Sequence, residues 1–201
     1  MELRSILERP LVYQSFQLVG GYFGARIKSM RAFLPIEPGA RVADIGCGPG
    51  FIVERLPTTI SYCGFDTDAK YIAYANARFG DKGRFFHRPF DALAARDHGP
   101  FDIVMMNGVL HHLNDDEVHQ LLEVVRPALR AGGRLFTLDG CYVEGQSLAV
   151  RLQLGLDRGR HIRTEDGYRK LVACHFNSLE VHVDHRLSWG PYTWIVMLGR
   201  D

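Results

Sequence analysis

Arg41-Val-Ala-Asp-Ile-Gly-Cys-Gly-Pro-Gly50 is the stretch that decides how this chain is read. An apolar β-type run ends in three closely spaced glycines and leads into Phe51-Ile-Val-Glu-Arg-Leu56, a helical pattern. Bare backbone at the carboxyl end of a first strand lets a ligand come close to the main chain. A second β-type run, Tyr62-Cys-Gly-Phe-Asp66, ends in an acid 20 residues after Gly46. A carboxylate there is placed to accept both ribose hydroxyls of an adenosine ligand. Asp68 competes for that role, but it directly precedes the helical pattern Ala69-Lys-Tyr-Ile-Ala-Tyr-Ala-Asn-Ala-Arg-Phe79, where an N-cap is wanted. Asp66 is therefore the expected ribose residue.

Outward from this stretch, short β-rich runs alternate with helical patterns, the order of a mostly parallel sheet covered by helices. The expected strands are Arg41 to Ile45, Ile60 to Phe65, Arg84 to Arg88, Phe101 to Met106 and Gly133 to Leu138. Helices are expected near Phe51 to Leu56, Ala69 to Arg78 and Asp115 to Arg130. After Asp139 come a helical piece at Leu148 to Leu156, a basic loop, and a helix from Glu165 to His175 capped by Thr164. Two last β-like runs, Leu179 to Leu187 and Tyr192 to Gly199, flank Ser188-Trp-Gly-Pro191 and predict a hairpin with an antiparallel last strand. Residues 11–34 have helix-like spacing that Gly20, Gly21 and Gly24 should break or kink.

The chain has 201 residues, the usual size of one domain, with 24 Lys plus Arg against 23 Asp plus Glu. A net charge of +1 disfavours a general binder of nucleic-acid phosphates. No apolar run approaches a membrane span of about 18 residues. Glu2, Arg4, Glu8 and Arg9 interrupt the N-terminus where a secretory signal needs an apolar core. The expected location is the cytoplasm. Cys47, Cys63, Cys141 and Cys174 form no CxxC pair and are read as reduced thiols. Neither His111-His112 nor His182-x-x-His185 is spaced to chelate one ion if neighbours on a strand face opposite ways, so no metal is expected.

The third glycine of the loop comes one residue too early for the dinucleotide pattern GxGxxG. Asp44, Gly46, Gly48 and Gly50 instead give DxGxGxG, which resembles motif I of the Rossmann-like (class I) S-adenosylmethionine-dependent methyltransferases. Phe65-Asp-Thr67 resembles the family's acidic ribose motif, and Phe90-Asp91 sits where the family contacts adenine. Phe101 to Leu113 and Leu129 to Arg134 resemble its fourth-strand motif and the turn before strand five. The resemblance covers residues 39–140 and is nearest to the type 11 small-molecule group. It implies a three-layer α/β fold, a seven-stranded mostly parallel sheet with the last strand antiparallel, here with an N-terminal helical cap. The whole chain is read as one domain, with cap 1–38, cofactor core 39–140, and substrate-side connection and hairpin 141–201.

By the same resemblance the cofactor is S-adenosylmethionine, with S-adenosylhomocysteine as product. Asp44, Gly46, Cys47 and Gly48 would hold the methionine end, Asp66 and Thr67 the ribose, and Phe90 and Asp91 the adenine. Asn107 and Gly108 would line the floor beside the sulfonium. His111 is the candidate base or positioning residue, because an imidazole can take a proton from an acceptor. Tyr13 and Gln17 from the N-terminal segment, with Arg158 and Arg160 from the basic loop, are candidates for acceptor selection. The arginines, His161 and Arg163 among their neighbours, would suit a carboxylate or phosphate. The expected acceptor is a small molecule, not DNA, methylated in line by a monomer or homodimer. The alternatives are a protein or RNA methyltransferase within an assembly, and a cofactor-binding protein without transfer.

Overall fold

The computed structural model describes residues 20–157 and 159–201. Its strands are β1 (Arg41–Ile45), β2 (Ser61–Asp66), β3 (Arg84–His87), β4 (Phe101–Asn107), β5 (Leu129–Tyr142), β6 (Arg163–Thr164), β7 (Ser178–Asp184) and β8 (Trp194–Arg200). Seven run side by side in the order β3-β2-β1-β4-β5-β8-β7, and the short β6 pairs with the end of β5. Neighbours from β3 to β5 pair in parallel, and β8 is antiparallel to both β5 and β7. The expected three-layer α/β fold with an antiparallel last strand is the one observed. Strand order reverses between β1 and β4, which opens a crevice at the carboxyl ends of both.

Alternation of side chains along the central strands makes two cores, one on each face of the sheet. Val42, Met105, Phe136 and Val196 point to one side, under the helices α1 (Tyr22–Phe33) and α2 (Ala69–Phe79). Ala43, Val104, Leu135 and Ile195 point to the other, under α3 (Ala92–His98), α4 (Asp115–Ala128) and α6 (Glu165–Ala173). The remaining helix, α5 (Leu148–Gly155), lies in the connection after β5. Among the described residues no helix is long and apolar enough to cross a membrane.

Several boundaries differ from the sequence reading. The segment after the glycine loop is a 3-10 helix, Phe51–Arg55, in place of an α-helix. The Asp115 helix stops at Ala128, because Pro127 in its last turn has no N–H for the helical ladder. Helix α3 was not expected: it is seven residues long and too short to show an apolar period. The last two strands are joined by residues 185–193, longer than the tight turn expected, since Asp184 already pairs with Trp194. Helix α1 begins directly after Gly21, whose φ of 73° lies in the left-handed region, and runs on through Gly24, which does not break it. The part of the expected cap before Gly20 lies outside the described residues.

Candidate active site

The turn after β1 is shaped by its glycines and tied down from β2. Gly46, Gly48 and Gly50 have φ of 70°, 56° and 78°, a region that costs a residue with a side chain about 1–2 kcal/mol. A Cβ on Gly46 would stand 2.7 Å from Cγ2 of Val109. The N–H groups of Gly46 and Cys47 donate to the carbonyl of Phe65. That of Gly48 donates to Oδ2 of Asp66 at 2.8 Å, while Oδ1 of Asp66 accepts from Asp68 N–H at 2.8 Å. Burial raises the Asp66 carboxyl above its ordinary range, and these two backbone donors oppose the rise. Asp68 caps α2 through Lys70 and Tyr71 N–H.

Two buried polar side chains stand behind this loop with unused atoms. Asp44 accepts from the Tyr62 hydroxyl at 2.6 Å through Oδ2, and its Oδ1 has no partner. Burial pushes its carboxyl up to about 7. Asn107, at the end of β4, is buried with neither Oδ1 nor Nδ2 bonded. Unpaired buried polar atoms are costly, about 1–3 kcal/mol each, so their clustering at one end of the sheet suits a polar ligand. Beside the loop opens a cavity of about 440 Å³, walled by Phe65, Phe90, Val109 and Leu113 and edged by Asp66, Thr67 and Asp91.

On the β4–β5 side stands His111, in a 3-10 turn of Leu110–His112. Its Nδ1 lies 2.8 Å from Oδ1 of Asp139, which also accepts the His111 backbone N–H. A carboxylate can only accept there, so Nδ1 carries a hydrogen. Asp139 is wholly buried on β5. Nε2 faces Oδ1 of Asp157 at 3.5 Å. Gly108 adjoins both Cε1 of His111 and the Arg26 guanidinium of α1, so the imidazole sits against the end of β4.

A model of the methyltransferase domain matches residues 43–135. Over 182 residues the chain is 29% identical to a ubiquinone biosynthesis O-methyltransferase of Aromatoleum aromaticum, covering 81% of this chain and 74% of that one. These matches support a class I S-adenosylmethionine-dependent methyltransferase. It spans 41% of the length of a trans-aconitate 2-methyltransferase of Variovorax paradoxus, to which it is 32% identical over 54% of its own length. Its fold matches that of human N-acetylserotonin methyltransferase in complex with SAM (TM-score 0.68, 19% identity, 95% of this chain and 55% of that one). It also matches magnesium protoporphyrin IX methyltransferase from Synechocystis with bound SAH (0.64, 21%, 90% and 84%).

In this methyltransferase Gly46, Asp66, Thr67, Phe90 and Asp91 line one cavity, and Asp44, Gly48 and Asn107 stand at the same end of the sheet. Four expectations need correction. The Cys47 side chain turns under β2, its Sγ against Gly64, so only its backbone belongs to the loop. Asp91 has a structural duty that was missed: its Oδ1 caps α3 through Ala94 N–H and accepts from Arg88, each at 2.8 Å. Arg163 is not free for an acidic acceptor, since its guanidinium donates to the carbonyls of Leu110, Leu113 and His161 and to Asp115. The rings of His111 and His112 are 4.3 Å apart and do not face opposite ways, because they sit in a helical turn and not on a strand. Arg160 is exposed, while Tyr13, Gln17 and Arg158 lie outside the described residues. Asp139 and Asp157 were missed altogether. An acid closing the apolar run Leu135-Phe-Thr-Leu-Asp139, beside the His-bearing strand end, was the available signal for the first.

Proposed function

We propose that this methyltransferase acts on a hydroxyl group of a small molecule, with His111 as the base that takes the hydroxyl proton. The observation that carries the reading is the buried His111–Asp139 pair, Nδ1 to Oδ1 at 2.8 Å, just past the end of the strand that borders the glycine loop. S-adenosylmethionine, when bound, supplies a methyl group on sulfonium, already a good leaving group.

The chain's own residues have three tasks. The first is to hold the cofactor. The apolar cavity suits the adenine ring, Asp66 and Thr67 at its edge suit the ribose, and the unpaired atoms of Asp44 and Asn107 suit the polar methionine end. The second is alignment of the acceptor oxygen in a largely dry site, which accounts for much of the rate in such transfers. The third is proton removal, for which Asp139 fixes the tautomer and orientation of His111 and stabilises the imidazolium that forms.

The test is transfer of labelled methyl from S-adenosylmethionine into a metabolite extract, with wild-type protein and His111→Gln. The expected result is label in small molecules, as methyl ethers, that the variant nearly abolishes. Label in protein or RNA, or undiminished transfer by the variant, would overturn the reading.

A further inference from the structure

We propose that Tyr168 is a positioning residue for His111: its hydroxyl holds the second oxygen of Asp139 through one internal water, and so fixes the carboxylate that orients the imidazole. The inference rests on His111 being the base. Asp139 uses one of its oxygens. Oδ1 accepts from both the backbone N–H and Nδ1 of His111, whereas Oδ2 is buried with no partner among the described residues. A carboxylate held by one oxygen can turn about its Cβ–Cγ bond, a broad torsion, and would carry Oδ1 off the imidazole. A donor on Oδ2 prevents that turn and removes the cost of a bare buried oxygen.

The donor stands on α6. Tyr168 is wholly buried, and its hydroxyl too has no partner among the described residues. Pairing of Cys141 with Arg163 and of Tyr142 with Thr164 starts α6 beside the end of β5. One turn into the helix, Tyr168 therefore enters the same buried cluster as Leu135 and Cys141. Alternation along β5 puts Thr137 and Asp139 on that face as well. Burial first, and then the Asp139 charge, push the Tyr168 hydroxyl up. The Arg163 guanidinium lies 5.6 Å from the centre of the Tyr168 ring and donates to the carbonyls of Leu110 and Leu113, on either side of the histidine turn. Ring and turn are thus held by one side chain.

Thr137, wholly buried, adds a third unpaired atom, Oγ1. None of the three is bonded directly to another, yet their needs are complementary. One water accepts from Tyr168 and donates to Oδ2 of Asp139 and to Oγ1 of Thr137, the usual count of about three bonds for an internal water. Hydrogen bonds to the charged form keep the carboxylate ionised, which the imidazolium formed on proton removal requires. Tyr168 itself touches no reacting atom and exchanges no proton.

Tyr168→Phe keeps the ring and deletes one oxygen, which makes the test sharp. If the hydroxyl serves nothing, its removal relieves an unpaired buried group and the variant should melt higher than the wild type. The expected result is a lower melting temperature. Transfer of labelled methyl into a metabolite extract should lose about threefold to tenfold in kcat, the range for one hydrogen bond, with KM for S-adenosylmethionine unchanged. In protein saturated with S-adenosylhomocysteine, the nitrogen resonance of His111 Nδ1, assigned by its loss in His111→Gln, should move. Thr137→Val should move it by less. A higher melting temperature, or a resonance that stays in place in Tyr168→Phe, would overturn the link even if transfer falls. A moved resonance with kcat unchanged would overturn the positioning role. Failure of the base shows separately, as undiminished transfer in His111→Gln.

Discussion

At the β1–β2 end of the crevice the ligand-facing acids are held by partners no more than 18 residues away, whereas at the β4–β5 end the groups also lean on partners 28 or more residues away. Asp66 is fixed by the backbone of Gly48 and Asp68, and Asp91 by Ala94 and Arg88. His111 depends on Asp139, 28 residues on, Asp157 on Tyr192, 35 residues on, and Tyr22 of α1 is bonded by Gln153 of α5 across 131 residues. The first end is a set of turns and caps made within a strand ending or between the adjacent β1 and β2. The second exists only once the whole sheet has closed. Binding of the cofactor and transfer of its methyl group should therefore be separable by mutation.

The sharpest separation is expected from His111→Gln. Loss of a general base costs about 10²- to 10⁴-fold in kcat, while affinity for S-adenosylhomocysteine by calorimetry should not change. Rates should recover in part at high pH, as the acceptor loses its proton unaided. A parallel loss of cofactor affinity would mean that the two ends are one unit.

The next largest effect concerns Asp44, raised to about 7 from an ordinary 3.8. Between those values the folded protein holds a proton that the unfolded chain has released. The sign is then fixed: this group makes the ligand-free fold less stable as pH rises from about 4 to about 7, with no further change above. The span is up to about 4 kcal/mol at 1.36 kcal/mol per pKa unit. Urea midpoints at pH 5 and pH 8 should show the slope in the wild type and a flatter one in Asp44→Asn.

Asp66→Ala removes the acceptor for Gly48 N–H as well as the expected ribose partner. Affinity for S-adenosylhomocysteine should fall by about 1.5–3 kcal/mol, with kcat at saturating cofactor little altered. Asp68→Ala, two residues on, should cost about 1 kcal/mol of stability through the lost cap and leave affinity alone. If thermal melts and calorimetry show the reverse assignment, the local account of this end is wrong.

The same contrast explains what was readable in the residues. A glycine-rich turn, an acid at a strand end and an acid before a helical pattern are all short-range signals, so Asp44, Gly46, Asp66 and Asp68 stood out in the sequence, and the cap expected of Asp68 is observed. Asp91 was read for a ligand and not for its cap, because α3 carries no apolar period. The partners of His111 left no such trace, since strand pairing and the path of residues 140–163 bring Asp139 and Asp157 to it. Arginines 158, 160 and 163 looked alike in the sequence. Only the folded chain shows that the last is spent on backbone carbonyls.

That arginine has a consequence for anyone who would redirect this enzyme. Arg163 belongs by position to the connection expected to select the acceptor, yet it braces the turn that carries the imidazole, through Leu110 and Leu113. Transplanting a foreign connection of residues 140–163 to change the acceptor would remove that brace along with the old specificity. A graft that ends at Ile162 keeps it. Selectivity and reactivity are thus inherited together, and a useful chimera begins by cutting the chain one residue before the guanidinium.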